Sequence, residues 1–475
     1  MEAETTRRPE KEAPDKNIKD DTTEFNESGY GLTDAEILDI EDALHSGYDD
    51  ALVHAISDLG AADAAELLAK VTDEDRIKLI QDHAPAFNPE VFTEMDSGLC
   101  RDSLSALSAD KVAAIISELD SDDAITIIQN LEPAFQHEII HKLSVNLRVA
   151  LQEGLSFPEE SAGRLMQREF VAIPQFWTVG KTIDYLRAAT NDLPEEFFDV
   201  FVITPSYHVV GEIPLNRLIR SMRSVKLEHL VLEDTHPIPA TMDQEHVAQL
   251  FRRENLTSAP VIDEEERLIG VITIDDVVDV IDEEAQEDIL KLGGVGKGDL
   301  YHAVLLTTSS RFRWLFINLL TAILASFVIG LFGATIEQVV ALAILMPIVA
   351  SMGGNAGTQA LTVAVRALAM RELSRSNAMR IIWKETIVGT LNGTAFATIM
   401  GIIAALWFGN SILGAVIASA MVINLIFAGL FGAGIPIILH RMGSDPAISS
   451  TVLLTTVTDV VGFLSFLGLA AIFLV

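Results

Sequence analysis

The sequence predicts a multidomain membrane protein: an all-α repeat domain, an α/β pair of similar units, a connecting helix and five transmembrane helices. Three observations carry that prediction. Charge is split along the chain: residues 1–305 hold 25 Lys+Arg against 63 Asp+Glu, a net of −38, whereas residues 306–475 hold 8 and 5, a net of +3. The apolar back half is divided into uncharged runs long enough to cross a bilayer. Between residues 162 and 283 a strand–helix rhythm occurs twice.

The first 30 residues begin MEAETTRRPEKEAPDKN, with no apolar core, so they read as a disordered tail and not as a signal peptide. Residues 31–155 read as short helices in a repeat. Leu59–Ile80 aligns without a gap on Leu107–Ile128, an offset of 48, with Leu67 on Ile115, Leu68 on Ile116, Val71 on Leu119, Ile77 on Ile125 and Ile80 on Ile128. A small helical solenoid follows from such a pattern. Within it, His137-Glu138-Ile139-Ile140-His141 matches the HExxH of zinc proteases. The pattern is five letters long and sits in a repeat with no evident cleft, so the solvated-helix reading is preferred to the protease. A single cysteine, Cys100, excludes an intramolecular disulfide and fits a reducing cytosol. The acidic front also excludes nucleic acid as a partner, since phosphate binding needs a basic surface. It favours cations, with a solvated acidic surface as the plain alternative.

Residues 162–230 and 231–283 each read strand–helix–strand–strand–helix. The pair resembles tandem CBS domains, and the second copy carries the clearer ending, GVITIDD. That resemblance implies contacts from Thr273 and Asp276 to a nucleotide ribose and phosphate, so ATP is the implied cofactor. The first copy has GEIPLNR at the equivalent place and lacks both side chains.

From Asp275 to Asp288 eight of fourteen residues are acidic and none is basic. On a helix Asp276 and Asp279 are neighbours, as are Glu284, Glu287 and Asp288, and each like-charge pair destabilises by about a few tenths of a kcal/mol. This run leads through residues 284–305, with Gly293, Gly294, Gly296 and Gly298, into the membrane half. A connecting helix in that position reads as a cation-dependent switch, in which bound Mg²⁺ would draw facing acids together and its loss would move the helix, with a solvated acidic helix as the plain alternative.

Residues 311–475 hold five expected spans: Trp314–Phe332, Gln338–Val365, two within Thr386–Leu439 separated at Gly409-Asn410-Ser411, and Pro446–Val475. Arg311 and Arg313, the Arg366–Lys384 link and Arg441 all fall on the side of the acidic half. The remaining two links lack a basic residue. The Lys/Arg bias therefore places the N-terminus in the cytoplasm and the C-terminus outside.

Asp459 lies deep in the last span, in TTVTDVVGF. A carboxylate there is expensive facing lipid, so it should face protein or water. It reads as an ion site or, alternatively, as a protonated group bonded between helices. Thr451, Thr455, Thr456 and Thr458 supply hydroxyls and Gly462 permits close helix approach. The second span reads MPIVASMGGNAGTQALT: Pro347, Gly353, Gly354 and Gly357 weaken its backbone ladder, while Asn355, Thr358, Gln359 and Thr362 recur at helical spacing. A small-residue packing seam is the other reading. With no Cys or His in any span, the available ligands are oxygens, which suits Mg²⁺, Ca²⁺ or Mn²⁺ better than soft ions. Mg²⁺ keeps its waters, so a hydrated ion beside Asp459 fits this chemistry.

The element order and three motifs (PIVASMGGNAGTQA, RIIWKETIVG and GSDPAISSTVLLTTVTDVVGF) resemble the MgtE family of magnesium channels over nearly all the chain after residue 30. The resemblance implies a homodimer in the cell membrane, with a pore lined by spans two and five of both subunits. It implies that Asp459 selects the ion, and that Gly353, Gly354, Asn355, Thr358, Thr362, Thr451 and Thr455 lie along the path. It also implies a connecting helix that plugs the pore when Asp276, Asp279, Glu284, Glu287 and Asp288 sense cytosolic Mg²⁺. A secondary carrier of Mg²⁺, Mn²⁺ or Co²⁺ is the alternative.

Overall fold

The structure, a computed structural model, describes residues 31–46, 49–189, 193–194, 197–232, 235–296, 304–370, 372–373 and 377–475, with only the backbone of 306 and 446–449. The expected tail 1–30, residues 297–303 of the connecting segment including Gly298, and Arg371 and Arg375 lie outside the described residues. The chain divides into two units, Met1–Asp243 with Thr257–Thr273, and Gln244–Leu256 with Ile274–Val475.

The first unit begins with short helices from Asp34–Ser46 to Val145–Gly154. The offset of 48 is visible in the helices themselves. Ala61–Lys70 and Asp73–His83 recur as Ala109–Ile116 and Ser121–Gln129. Leu68 and Ile116, Val71 and Leu119, and Ile80 and Ile128 are buried in both copies, whereas Ile77 is 36% exposed where Ile125 is buried. Thr72 caps the helix that contains Asp75: its hydroxyl accepts from the Asp75 backbone N–H at 3.2 Å and donates to the Asp75 carboxylate at 2.7 Å. In this part of the chain Ala109–Ile116 packs on Pro133–Lys142, and Ser121–Gln129 packs on Val145–Gly154.

Two three-stranded sheets of one topology follow. The first is β1 (Ala172–Pro174), β2 (Asp199–Ile203) and β3 (Val209–Pro214); the second is β4 (Ile238–Pro239), β5 (Ser258–Ile262) and β6 (Leu268–Thr273). In each, the first pair is parallel and the second antiparallel, with a register shift at Val202/Ile203 and again at Val261/Ile262. Tyr207 and Glu266 adopt positive φ at equivalent places in the two hairpins. The sheets meet through bridges His208–Arg267 and Gln167–Val271. Every residue of β2 is buried, as expected of a strand covered on both faces.

In the second unit one helix runs Ile274–Gly293, so the acidic run and the expected connecting helix are a single element crossing residue 284. No Pro or Gly interrupts it until Gly293-Gly294, where Gly294 has φ +70° and lies against Trp314. Among the described residues five helices have the length and composition to cross a membrane: span one Thr307–Gly330 (within a helix from Val304), span two Ala341–Ala369, span three Ala378–Phe408, span four Ser411–Arg441 and span five Ser450–Phe473 (within a helix from Pro446). The break between spans three and four falls at Gly409, left-handed at φ +64°, and Asn410, whose side chain caps the backbone N–H groups of Ile412 and Leu413. Span four is the core of this unit, packing against spans two, three and five. Span two remains helical for 29 residues through Pro347 and the glycine pair, so the expected weakening does not break it.

Candidate functional site

Asp459 lies 13 residues after Pro446 and 14 before Phe473, about 20 Å of helix from either end. It is half-buried, and no basic group pairs with it among the described residues. Thr451, Thr455 and Gly462 share its side of the helix at spacings of three, four and eight residues. The threonine hydroxyls donate to backbone carbonyls of their own helix: Thr455 to Thr451, Thr456 to Val452 and Thr458 to Leu454, at 3.1, 2.6 and 3.1 Å. Each hydroxyl is thereby satisfied as a donor; Thr458 is fully buried, whereas Thr455 and Thr456 are part-exposed and keep lone pairs free to accept from water.

Span two has two faces. Gly353, Gly357, Ala360, Leu361 and Ala364 are buried, whereas Ser351, Asn355, Thr358, Gln359 and Thr362 are exposed within the single chain. Thr358 donates to the Gly354 carbonyl and Thr362 to the Thr358 carbonyl, both at 2.9 Å. A polar stripe of this length at bilayer depth is incompatible with lipid, so another protein surface or water must meet it.

Sequence reasoning missed the residue that joins these helices. Asn424 of span four is fully buried, and its Nδ2 donates to the Val349 carbonyl of span two at 2.8 Å. The same amide lies against Gly353 and Gly462. An amide amid an otherwise apolar span was the signal available.

At the other end of this unit the connecting helix is docked. Leu292 packs with Leu361, Val365, Ile435 and Leu454 of spans two, four and five. Its carbonyl accepts from the Thr451 hydroxyl at 3.4 Å. Lys291 Nζ reaches Glu287 at 2.5 Å and Asp445, in the link before span five, at 3.0 Å. Burial works against the Lys291 charge, but the hydrogen bonds from Glu287 and Asp445 hold its pKa above the usual lysine value. Asp288 is pushed up, by burial first and then by Asp445, with Glu245 and Glu284 adding to it and Lys291 opposing. Glu284 accepts from Gln244 at 2.9 Å. Thus Lys291 is held between Glu287 and Asp445, and Asp288 feels Asp445, Glu245 and Glu284. Asp276 and Asp279 lie eight and five residues before Glu284, nearer the start of the helix, and Asp279 is raised by partial burial and then by Asp275 and Asp282. Among the described residues no three acidic, His or Cys side chains are close enough to enclose a metal ion.

In the first unit Thr273 ends β6, paired with Ser258. It lines a cleft with Gln167, Glu169, Asp199 and Ser258 that offers about 10 Å³, room for one water and far less than a nucleotide needs. Asp199 accepts from Thr257 at 3.2 Å and Ser258 at 2.7 Å. On the neighbouring strand Glu212 is 6% exposed, and burial, then the Asp199 charge, push its carboxyl up to about 7. The His137 and His141 rings touch on an exposed helix, Nε2 to Nε2 at 3.1 Å, with no third ligand among the described residues.

Three family models match the chain: the MgtE intracellular N domain over residues 59–160, the CBS domain over 227–283, and MgtE, a divalent cation transporter, over 346–469. The magnesium transporter MgtE of Bacillus subtilis is 34% identical over 326 residues, 68% of this chain and 72% of that one. Its namesake in Thermus thermophilus is 34% identical over 335 residues, 70% and 74% of the two chains. Among solved structures, the cytosolic domain of the Mg²⁺ channel MgtE in complex with ATP is 26% identical, with a TM-score of 0.48, covering 51% of this chain and 99% of that one.

Proposed function

The chain belongs to the MgtE family of divalent cation transporters, a class of transporter and not of enzyme, and from that premise we propose that it is a Mg²⁺-selective channel closed by cytosolic Mg²⁺. One observation carries the reading: a mid-bilayer carboxylate, Asp459, without a basic partner among the described residues, on a helix face lined with hydroxyls. Mg²⁺ sheds water reluctantly, so such a path passes the hydrated ion, with Asp459 supplying the charge and the side-chain oxygens of Thr451, Thr455, Asn355, Thr358 and Thr362 accepting from its waters. The exposed stripe on span two supports a homodimer in which two copies of spans two and five enclose the path beside Gly353 and Gly354, with lipid on the outer faces.

Closure is the work of the connecting helix. Leu292 and Lys291 seat its end on spans two and five, and the acids at 276, 279, 284, 287 and 288 repel one another until a divalent cation neutralises them. Residues 31–155 and the two CBS copies, 162–230 and 231–283, form the cytosolic sensor in this reading. The Lys/Arg bias sets the N-terminus inside the cell membrane and the C-terminus outside. ATP at Thr273 would require the cleft by Asp199 and Ser258 to widen.

The test is electrical. Purified protein in planar bilayers, with Mg²⁺ as the sole permeant cation, should give unitary currents that disappear when millimolar Mg²⁺ is added to the cytosolic face. Flux without unitary currents, dependent on a proton or sodium gradient, would identify a carrier.

A further inference from the structure

We propose that Asn424 is a positioning residue for permeation: its side-chain amide is a spacer between Gly353 of span two and Gly462 of span five, and it sets the separation that holds Asp459 at the path. This rests on the channel reading above. Asn424 sits 13 residues into span four and is 0% exposed. A purely apolar contact between three helices would be served by an aliphatic side chain, whereas an amide in this environment must be hydrogen-bonded to be tolerated. Nδ2 meets that need by donating to the Val349 carbonyl at 2.8 Å, within the stretch of span two that carries Pro347 and the glycine pair. Oδ1 is equally buried and accepts from no described residue. The amide is therefore held on span two from one side, through Nδ2.

Both neighbouring helices are glycine where this amide meets them. A Cβ at Gly353 would lie 2.2 Å from Nδ2, and one at Gly462 2.8 Å from it, both inside any real contact. Gly462 is three residues beyond Asp459, one turn along the same face. A change in the span two–span five separation at the amide is therefore transmitted to the carboxylate within a single helical turn. Asp459 needs such a fixed setting, because a hydrated divalent ion is distinguished from a slightly larger one by the width of the path between facing oxygens.

The experiment couples the two partners. Gly353→Ala, Asn424→Ala and the double variant are purified, their assembly is checked by size-exclusion elution, and Mg²⁺ and Ca²⁺ influx into proteoliposomes is measured. The spacer predicts that Gly353→Ala reduces Mg²⁺ influx about tenfold or more, since an unrelieved overlap shifts packed helices. The double variant, in which the overlap is gone, should recover most of that loss, a coupling of the kind only contacting residues show. Asn424→Ala alone should lower the Mg²⁺-to-Ca²⁺ influx ratio several-fold. Gly462→Ala with and without Asn424→Ala supplies an independent pair if Gly353→Ala does not assemble. The proposal is overturned if the double variant is as inactive as Gly353→Ala, or if the ion ratio is unchanged in Asn424→Ala. Wild-type protein that carries no Mg²⁺ removes the channel reading instead, which separates the two failures.

Discussion

Replacing Glu212 by Gln should stabilise β2 and β3 in alkaline solution and leave them unchanged in acid. Glu212 is 6% exposed, with Asp199 on the paired strand, and its carboxyl is raised from 4.5 to about 7. A folded pKa above the unfolded one means the fold prefers the protonated acid. Stability on this account is fullest below pH 4.5 and falls as pH rises through 7. The gap between 4.5 and about 7 corresponds to about 3 kcal/mol at most, and residual solvation reduces that to roughly 2–3 kcal/mol. Glutamine keeps the shape and removes the ionisation. Hydrogen–deuterium exchange on the full-length protein, comparing variant with wild type at the same pH, reads the difference directly because intrinsic exchange rates cancel. At pH 8, amides of β2 and β3 in the variant should exchange roughly 30- to 100-fold more slowly. At pH 4.5 the two proteins should match. Equal exchange at pH 8, or an equal gain at both pH values, would refute the reasoning that burial and Asp199 set this carboxyl.

Two further outcomes follow from the docked helix and the histidine pair. Lys291→Gln removes the only described base among Glu287, Asp288 and Asp445, a contact worth about 1 kcal/mol at this exposure. The Mg²⁺ concentration that half-closes the channel should therefore rise about three- to tenfold, and a midpoint at or below the wild-type value contradicts the latch. His137→Ala should leave Mg²⁺ flux unchanged, and the wild-type protein with added Zn²⁺ should cleave no peptide substrate; zinc-dependent cleavage lost in the variant would restore the protease reading.

Much of this architecture is legible in the chain because membranes and repeats impose strong patterns. A 54-residue stretch without charge announces two spans, and Gly409-Asn410 marks where they part because a left-handed residue and an N-cap are needed there. The offset of 48 survives because both copies bury the same helix faces, although Ile77 shows that one copy lacks the neighbour that covers Ile125. The two sheets were readable as a repeated rhythm, and their shared register shifts bear it out. Where the helices end was less legible. Nothing between Ile274 and Gly293 breaks a helix, so the separate connecting element expected to begin at 284 is the same helix as the one after β6. Asp199, Glu212 and Lys291 were hidden by composition: in a chain so rich in acids a buried carboxylate reads like a solvated one, and one lysine near many acids reads as a stray charge. Asn424 was hidden because its partners are backbone and glycine, which leave no complementary side chain in the sequence.

Mg²⁺ influx through Asp459→Asn, set beside wild type in the same liposomes, bears most directly on whether ions travel this route. Loss of the charge should reduce influx at least about tenfold while the protein elutes as the wild type does, since asparagine preserves the volume and polarity of the site and removes only the attraction for a divalent ion. Influx at the wild-type rate would mean that the ion does not pass Asp459, and that the polar faces of spans two and five serve packing and not permeation.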